Sequence, residues 1–359
     1  MSGAVTLGFR LIEPMLFRGA GEFDPFVRGT FSRAVTLAMP TPSTVAGTLA
    51  TYCISELHKP TLDFDASWLD LYLSVLGKDV VIRGPFITQN QELLVEDKLL
   101  NGFLNMEMVR KKCEKCFEKL KKLESKPLTL MHLDKCVSEI YEKKDEVKPT
   151  LRVVKDVRVG VGLETRYYGL KIAKEGFIYG AEYLNYSGDE DRNIVDTSFE
   201  IIAEVRGQLV KNLLSAKEVP VKFGGEGRIA LLHIEQSERV LDKIKDLLWS
   251  GQNQYSGVLA LYLATPALFK GGRRIEEYVK EWASDYKLVS IVGESEILGA
   301  GFSLQLTKRK PLYTSLKPGS IIFLEGNFDL SKTYHTFFLG EAAALGYGTL
   351  LPVPLKKLS

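Results

Sequence analysis

No run of eighteen apolar residues occurs in this 359-residue chain, which excludes a membrane-spanning helix. The N-terminus lacks a basic segment leading into an apolar one, so no secretory signal is expected. Cysteine is scarce: there are four, three of them between Cys113 and Cys136, too few for a disulfide framework in a chain this long. Together these absences point to a cytoplasmic protein with no membrane partner. An excess of one charge is also missing. Lys and Arg number 47 against 45 Asp and Glu, so the chain as a whole is not a generic polyanion binder. The four histidines, His58, His132, His233 and His335, are scattered, and no serine or cysteine stands in a nucleophile setting. Neither a Walker A spacing nor a G-x-G-x-x-G after a strand is present, so no nucleotide cofactor, and no cofactor of any kind, is expected.

What remains is an ordinary globular composition, 45% hydrophobic, over a length that suggests two domains and an insertion. Leu7–Phe17 reads as a strand broken at Glu13-Pro14, and Ser32–Met39 as a second. Thr41-Pro42-Ser43-Thr44 is a helix start with proline at the first helical position. Val45, Leu49, Tyr52, Cys53 and Leu57 then recur at helical spacing, and Gly47 among them implies a close backbone contact. Strands are expected at Val80–Ile87, Leu93–Val95, Leu151–Val161, Gly176–Leu184 and Phe199–Val205. A Lys/Glu-rich helical hairpin, Met106 to Lys144, interrupts them and breaks at Lys126-Pro127. Gln208–Ala216 and Glu238–Trp249 read as helices, and Gly251–Gly257 as a polar linker. Beyond it come strand Val258–Ala264, helix Ile275–Ala283, strands Lys287–Val292, Phe302–Leu306 and Ile321–Glu325, a short helix Phe337–Leu345 and strand Thr349–Val353. Strand-helix-strand, taken twice, is the split βαβ order of a ferredoxin-like fold. The expected class is α+β with two ferredoxin-like, RRM-like domains: 1–250, enlarged by a helical insertion at about 106–145, and 251–359.

The clearest chemical signal is Gly224-Gly225-Glu226-Gly227-Arg228. Its glycines let another backbone approach closely, and its arginine carries five donors in a rigid fork able to clamp a phosphate. Gly346-Tyr347-Gly348 echoes it near the C-terminus. The alternative is that both are structural turns. A second signal lies between Arg152 and Lys174, where six basic residues face only Asp156 and Glu164, an excess larger than that of the whole chain. Arg158, Arg166, Tyr167 and Tyr168 fall inside it, and aromatics among cations suit single-stranded RNA; a solvated charged hairpin is the alternative. Arg18, beside Gly19 and Gly21, and the Ser43-Thr44 helix start are further candidate anion contacts. Cys113-x2-Cys116 with His132-x3-Cys136 approaches a Cys3His zinc pattern, yet the same cysteines fall on apolar helical stripes, where a thiol packs as a small hydrophobe.

Four regions taken in order resemble the RAMP superfamily of CRISPR proteins, and more closely the Cmr-module subunit of type III-B effectors that caps the 5′ end of the guide RNA. They are Phe17-Arg18 and Phe23-Asp24 leading to Pro40-x-Pro42-Ser43-Thr44-Val45-Ala46-Gly47; Val157-Arg158-Val159-Gly160 with Glu175-Gly176-Phe177-Ile178-Tyr179; Gly224 to Arg228; and Leu345-Gly346-Tyr347-Gly348. The resemblance runs nearly end to end. It implies binding to the 5′ handle of CRISPR RNA, contacts with the large polymerase/cyclase-like subunit and the first backbone RAMP subunit, and no catalysis. The 106–144 hairpin departs from the family pattern, and a partner contact is one role for it. A RAMP endoribonuclease with a His or Tyr base, and a purely protein-binding scaffold, are the alternatives.

Overall fold

The computed structural model describes residues 4–19, 33–57, 67–122, 147–151, 153–165, 171–186, 199–208, 213, 218–236, 239–249, 253–271, 273–299, 302–303, 308–309, 311–330 and 337–355. In the first part of the chain the strands are β1 Ala4–Leu11, β2 Arg33–Ala34, β3 Val81–Gln89, β4 Glu92–Asp97 and β5 Gly102–Asn105. They continue with β6 Val154–Thr165, β7 Lys171–Asn185, β8 Phe199–Arg206, β9 Val219–Lys222 and β10 Ile229–Glu235. The second part holds β11 Gln254–Leu263, β12 Ala267–Phe269, β13 Lys287–Val292, β14 Ser295–Gly299 and β15 Phe302–Ser303. It ends with β16 Lys308–Arg309, β17 Leu312–Leu316, β18 Ile321–Asp329 and β19 Leu350–Pro354. The helices are α1 Pro42–Leu57, α2 Trp68–Leu76, α3 Met106–Lys122, α4 Arg239–Trp249 and α5 Ile275–Trp282.

Beside three smaller sheets, β12-β17-β14, β15-β16 and β2-β7-β6, two antiparallel ones carry the architecture. The larger has the order β5-β4-β3-β8-β1-β10-β9, and the smaller β13-β18-β11-β19. Within the larger, β3-β8-β1-β10 surrounds the first strand in the same way that β13-β18-β11-β19 surrounds β11. One order is thus used twice. The alternation of β1 explains its central place: Val5, Leu7, Phe9 and Leu11 are wholly buried and meet Val45, Ala46 and Leu49 of α1. Thr41 starts α1 as expected, its hydroxyl lying 3.0 Å from Ser43 Oγ and 3.1 Å from Thr44 Oγ1. The Thr44 amide of the first turn donates to the Thr41 backbone carbonyl at 2.9 Å. Gly47 faces Tyr72 of α2, whose hydroxyl would stand 3.4 Å from an added Cβ, an ordinary contact rather than a close backbone approach.

The two halves share their interior. One core joins Phe86, Leu104, Cys113, Cys116 and Ile244 to Leu261 and Phe323; the other joins Val5, Phe9 and Leu49 to Leu268, Leu298, Leu345 and Tyr347. Helix α3 is the main link. Asn105 accepts from the Met108 amide at 2.9 Å to start it, and its stripe of Val109, Cys113, Cys116, Phe117 and Leu120 faces the second sheet, Phe117 stacking 5.7 Å from Phe323. The first helix of the inserted hairpin thus packs one face into the core; residues 123–146, with His132, Cys136 and the Lys126-Pro127 break, lie outside the described residues. Arg110 of α3 donates to the Leu247 and Leu248 carbonyls at 2.8 and 2.7 Å, satisfying the C-terminal end of α4.

Four expectations need correction. Gly251–Gly257 is not a linker where it is described: β11 starts at Gln254 and pairs with β18 from Gln254–Asp329 onward, Gly257 opposite Gly326. Phe337–Leu345 is not a helix but an irregular strap ending in a single 3-10 turn, Ala343–Leu345, with bridges Phe338–Thr349 and Leu268–Glu341. Of Ser32–Met39, only Arg33–Ala34 is strand among the described residues 33–39, while Phe302–Ser303 is strand as expected and 304–306 lie outside the described residues. The first glycine turn joins two strands, β9 and β10, instead of following a helix; of Gln208–Ala216, residues 209–212 and 214–216 lie outside the described residues.

The seam between the halves holds a titratable group. Glu96, buried at the end of β4, has its carboxyl pushed up to about 7 by burial, which Lys98 only partly offsets. A folded-state value above the unfolded one means that its contribution is fully present below about 4.3 and lost as the pH rises toward 7. Glu96→Gln is therefore expected to match the wild type in urea unfolding at pH 4 and to exceed it by about 2–3 kcal/mol at pH 8. Equal stabilities at both pH values would show a solvated carboxylate. The adjoining cavity, lined by Leu37, Met39, Pro85, Glu96, Lys98 and Leu298 among others, measures about 10 Å³, room for one water and not for a ligand.

Candidate nucleic-acid interface

The exposed surface of interest is built where the β9–β10 turn meets the chain leaving β1. The turn closes by Phe223 N to Arg228 O at 2.8 Å and Arg228 N to Gly225 O at 3.3 Å. Phe223 anchors it, stacked on Phe9 at 4.4 Å and edge-on to Phe17 at 5.4 Å. Its glycines divide by role. A Cβ at Gly224 (φ +84°) would sit 2.6 Å from the Leu16 carbonyl, and the Gly225 amide donates to that same oxygen at 2.7 Å. Both glycines thus admit the protein's own 16–18 segment. Gly227 (φ +68°) alone faces open space, with nothing within 4 Å of an added Cβ.

Three arginines converge here from distant stretches. Arg18 donates to Glu226 at 3.3 Å on the turn itself. Arg228 donates to Glu13 at 2.5 Å and lies 4.3 Å over the Tyr183 ring. Arg158 of β6 stands 5.3 Å from that ring, and its Nε donates to Asp156 at 3.0 Å. Tyr183 is opposite Asp156 in the β6–β7 ladder, and the Met15–Leu184 bridge ties this hairpin's root to the segment after β1. Nearby, Lys155 donates to Glu182 and to the Thr36 carbonyl, each at 3.2 Å. Each of these four cations thus meets a carboxylate.

Sequence reasoning placed Arg18, Arg158, Gly224, Gly225, Gly227 and Arg228 in one site, and the fold brings them together. It missed Tyr183, whose signal was an aromatic on the strand opposite the basic stretch. It also read Glu13 only as a strand break. Arg166, Tyr167 and Tyr168 lie outside the described residues, between β6 and β7.

The second glycine turn is a different object. Gly346, Tyr347, Gly348 and Ser43 are buried, and the Tyr347 hydroxyl donates to Ser43 Oγ at 3.0 Å. Burial above all raises the Tyr347 pKa, so the phenol stays protonated. A Cβ at Gly346 would lie 2.5 Å from the Gly84 carbonyl and one at Gly348 1.9 Å from that of Leu339. These side chains offer no surface to a strand, and the turn locks the seam. Thr44, next to Ser43, is half-buried in the same helix start. The pairing of two glycine turns on one groove is thereby withdrawn.

Cys113 and Cys116 are wholly buried on the apolar stripe of α3, and burial pushes the Cys113 thiol well up; Cys136, their partner in the zinc pattern, lies outside the described residues. No three His, Cys, Asp or Glu side chains group as metal ligands among the described residues. His233 lies against Gly8, where an added Cβ would meet the ring at 2.1 Å, and stands 3.9 Å from both Glu200 and Glu235. His58, His132 and His335 lie outside the described residues. No described helix is long and apolar enough to cross a membrane.

A family described as CRISPR-associated protein (Cas_Cmr3) matches residues 12–355, nearly the whole chain. The chain belongs to this Cmr3 family. Among curated proteins it is similar to the CRISPR system CMR subunit Cmr3 of Saccharolobus solfataricus, 24% identical over 315 residues that cover 87% of this chain and 83% of the relative. Among solved structures it resembles a chain of the type III-B Cmr-beta complex bound to cognate target RNA, with a TM-score of 0.57 and 21% identity over 96% of each chain. A chain of the same complex with target RNA and AMPPnP gives a TM-score of 0.51 at 21% identity, covering 89% of this chain and 86% of that one. At such identities the solved structures speak for the Cmr3-type fold.

Proposed function

We propose that this Cmr3-family chain is a noncatalytic subunit of a type III-B CRISPR effector in the cytoplasm, where it holds the 5′ handle of the guide RNA and bridges the large polymerase/cyclase-like subunit to the first backbone RAMP subunit. The observation that carries the reading is the convergence of Arg18, Arg158 and Arg228 around Tyr183 and an exposed turn, from three separate segments of the chain. Cations beside an aromatic and an open backbone turn match the demands of a single strand. The repeated strand order supports two ferredoxin-like units, 1–250 and 251–359, sharing one seam.

The test is crosslinking of the reconstituted complex to labelled guide RNA with peptide mapping, in which the 13–18 and 223–229 peptides are expected to carry the label. Binding should also weaken with salt at a log–log slope near −2 for three phosphates of a single strand, by about 0.7 per phosphate. The carboxylate beside each cation favours a second reading, a scaffold that meets only proteins. A slope near zero would support that scaffold, and metal-independent cleavage of repeat RNA would support a RAMP endoribonuclease.

A further inference from the structure

The carboxylates on this surface hold their arginines unequally. Glu13 grips at two points, accepting from Arg228 Nη1 at 2.5 Å and from the Ile229 amide at 2.7 Å. Arg228 is further pinned over Tyr183, with its Nε shut off from solvent and without a hydrogen-bond partner, so a strand on the surface cannot reach that atom. Only 19% of its side chain is exposed. Glu226 holds Arg18 at 3.3 Å, with side-chain exposures of 26% and 42%. It sits at φ +55°, next to Gly227 and the open space beside it. A solvated pair of that length stabilises little and is readily exchanged for another anion. A two-point grip on a half-desolvated guanidinium is not.

We propose that Glu226 is the anion gate of this surface: its carboxylate occupies the place beside Arg18 that a phosphate of the bound strand takes, and it sets the threshold affinity for any RNA. Arg228 is then a positioning residue that fixes the turn and the root of the β6–β7 hairpin, and Arg18 is the cation that changes partner. The inference rests on the RNA-binding reading and assigns roles within it. A strand must displace Glu226 or bring its phosphate alongside a like charge. Every RNA bears that penalty, so strands with no further contacts fall below working concentrations, while a strand with stacking or hydrogen bonds to add remains bound.

The experiment is fluorescence anisotropy on the full chain with two labelled single strands, an RNA bearing a CRISPR-repeat 5′ end and a scrambled RNA of equal length. Glu226→Gln is expected to tighten both by about 3–10-fold, the size of one unit-charge repulsion a few ångströms away in water. In an Arg18→Ala background the same change should move affinity by less than 2-fold, because the partner whose release matters is gone. Glu13→Gln should tighten neither strand. If Glu226→Gln leaves affinity unchanged or lowers it, or acts as strongly without Arg18, the gate is overturned while wild-type binding keeps the RNA reading standing. If neither strand binds the wild type or Glu226→Gln at low salt, the RNA reading itself falls and the gate with it.

Discussion

Lys112→Met is expected to destabilise the chain by about 3–5 kcal/mol, the largest loss that any single side chain described here should produce. Lys112 of α3 is 3% exposed and Asp97 at the end of β4 is fully buried; the ammonium donates to Asp97 Oδ2 at 2.5 Å and to the Gly319 carbonyl at 2.9 Å. Asp97 also accepts from the Tyr262 hydroxyl at 3.0 Å and from the Leu100 amide at 2.9 Å. Burial, then the neighbouring Asp97, holds the Tyr262 phenol well above its usual range, so it remains a donor throughout the accessible pH range. These contacts join the first sheet, α3, β11 and the turn before β18. Removing the ammonium strands a carboxylate in the seam, and two neutral donors do not replace a cation there. Paired with Asp97→Leu, the substitution should recover much of the loss, since two apolar groups need no partner. Urea unfolding of wild type, single and double variants measures both terms. A single-variant loss below about 1 kcal/mol would mean that water reaches the pair.

That seam was the part least legible from the amino-acid order, for a physical reason. Hydrophobic period reports that a face is buried, not what buries it. The stripe of Val109, Cys113, Cys116, Phe117 and Leu120 was plain as a helix face, yet its partner is Phe323 and the second sheet, about two hundred residues on. Where one short-range pattern decides, the reading held: α1, β3, β8, α4, β11 and β18 lie where alternation or helical spacing puts them, whereas the expected Leu7–Phe17 strand starts earlier, at Ala4, and ends at Leu11. Where glycine and proline intervene it failed. Apolar spacing over Phe337–Leu345 outweighed Gly340, whose φ of +88° and approach to the Leu268 carbonyl break any helix. Strand β9 was overlooked because Pro220 lies inside it, tolerated at the edge of the sheet. In the site, the arginines were visible one by one. The pairings of two of them were not, because Arg18–Glu226 and Arg228–Glu13 are separated by 208 and 215 residues.

Gly346→Ala should cost about 2–4 kcal/mol, combining the strain of φ +100° with a backbone overlap. The added methyl would stand 2.5 Å from the Gly84 carbonyl of β3, and neither backbone can yield without moving its neighbours. The Gly346 carbonyl accepts from Thr265 at 2.7 Å and from Thr349 at 2.9 Å, while the adjacent Tyr347 reaches Ser43 at the start of α1. A shift at this point therefore loosens the join of the second sheet to the first helix, beyond a local turn. Gly227→Ala gives the contrast. Its φ of +68° carries backbone strain of about 1 kcal/mol, but no atom lies within 4 Å of the new methyl. Thermal melts should thus separate the two turns that look alike in sequence, with a large drop for Gly346→Ala and a small one for Gly227→Ala. RNA titration should do so in reverse. Gly227→Ala places a methyl on the surface beside the Arg18–Glu226 pair, and under the proposed RNA-binding role it is expected to weaken binding at nearly native stability. Equal melts for the two variants would make both turns solvent loops and remove the seam's lock.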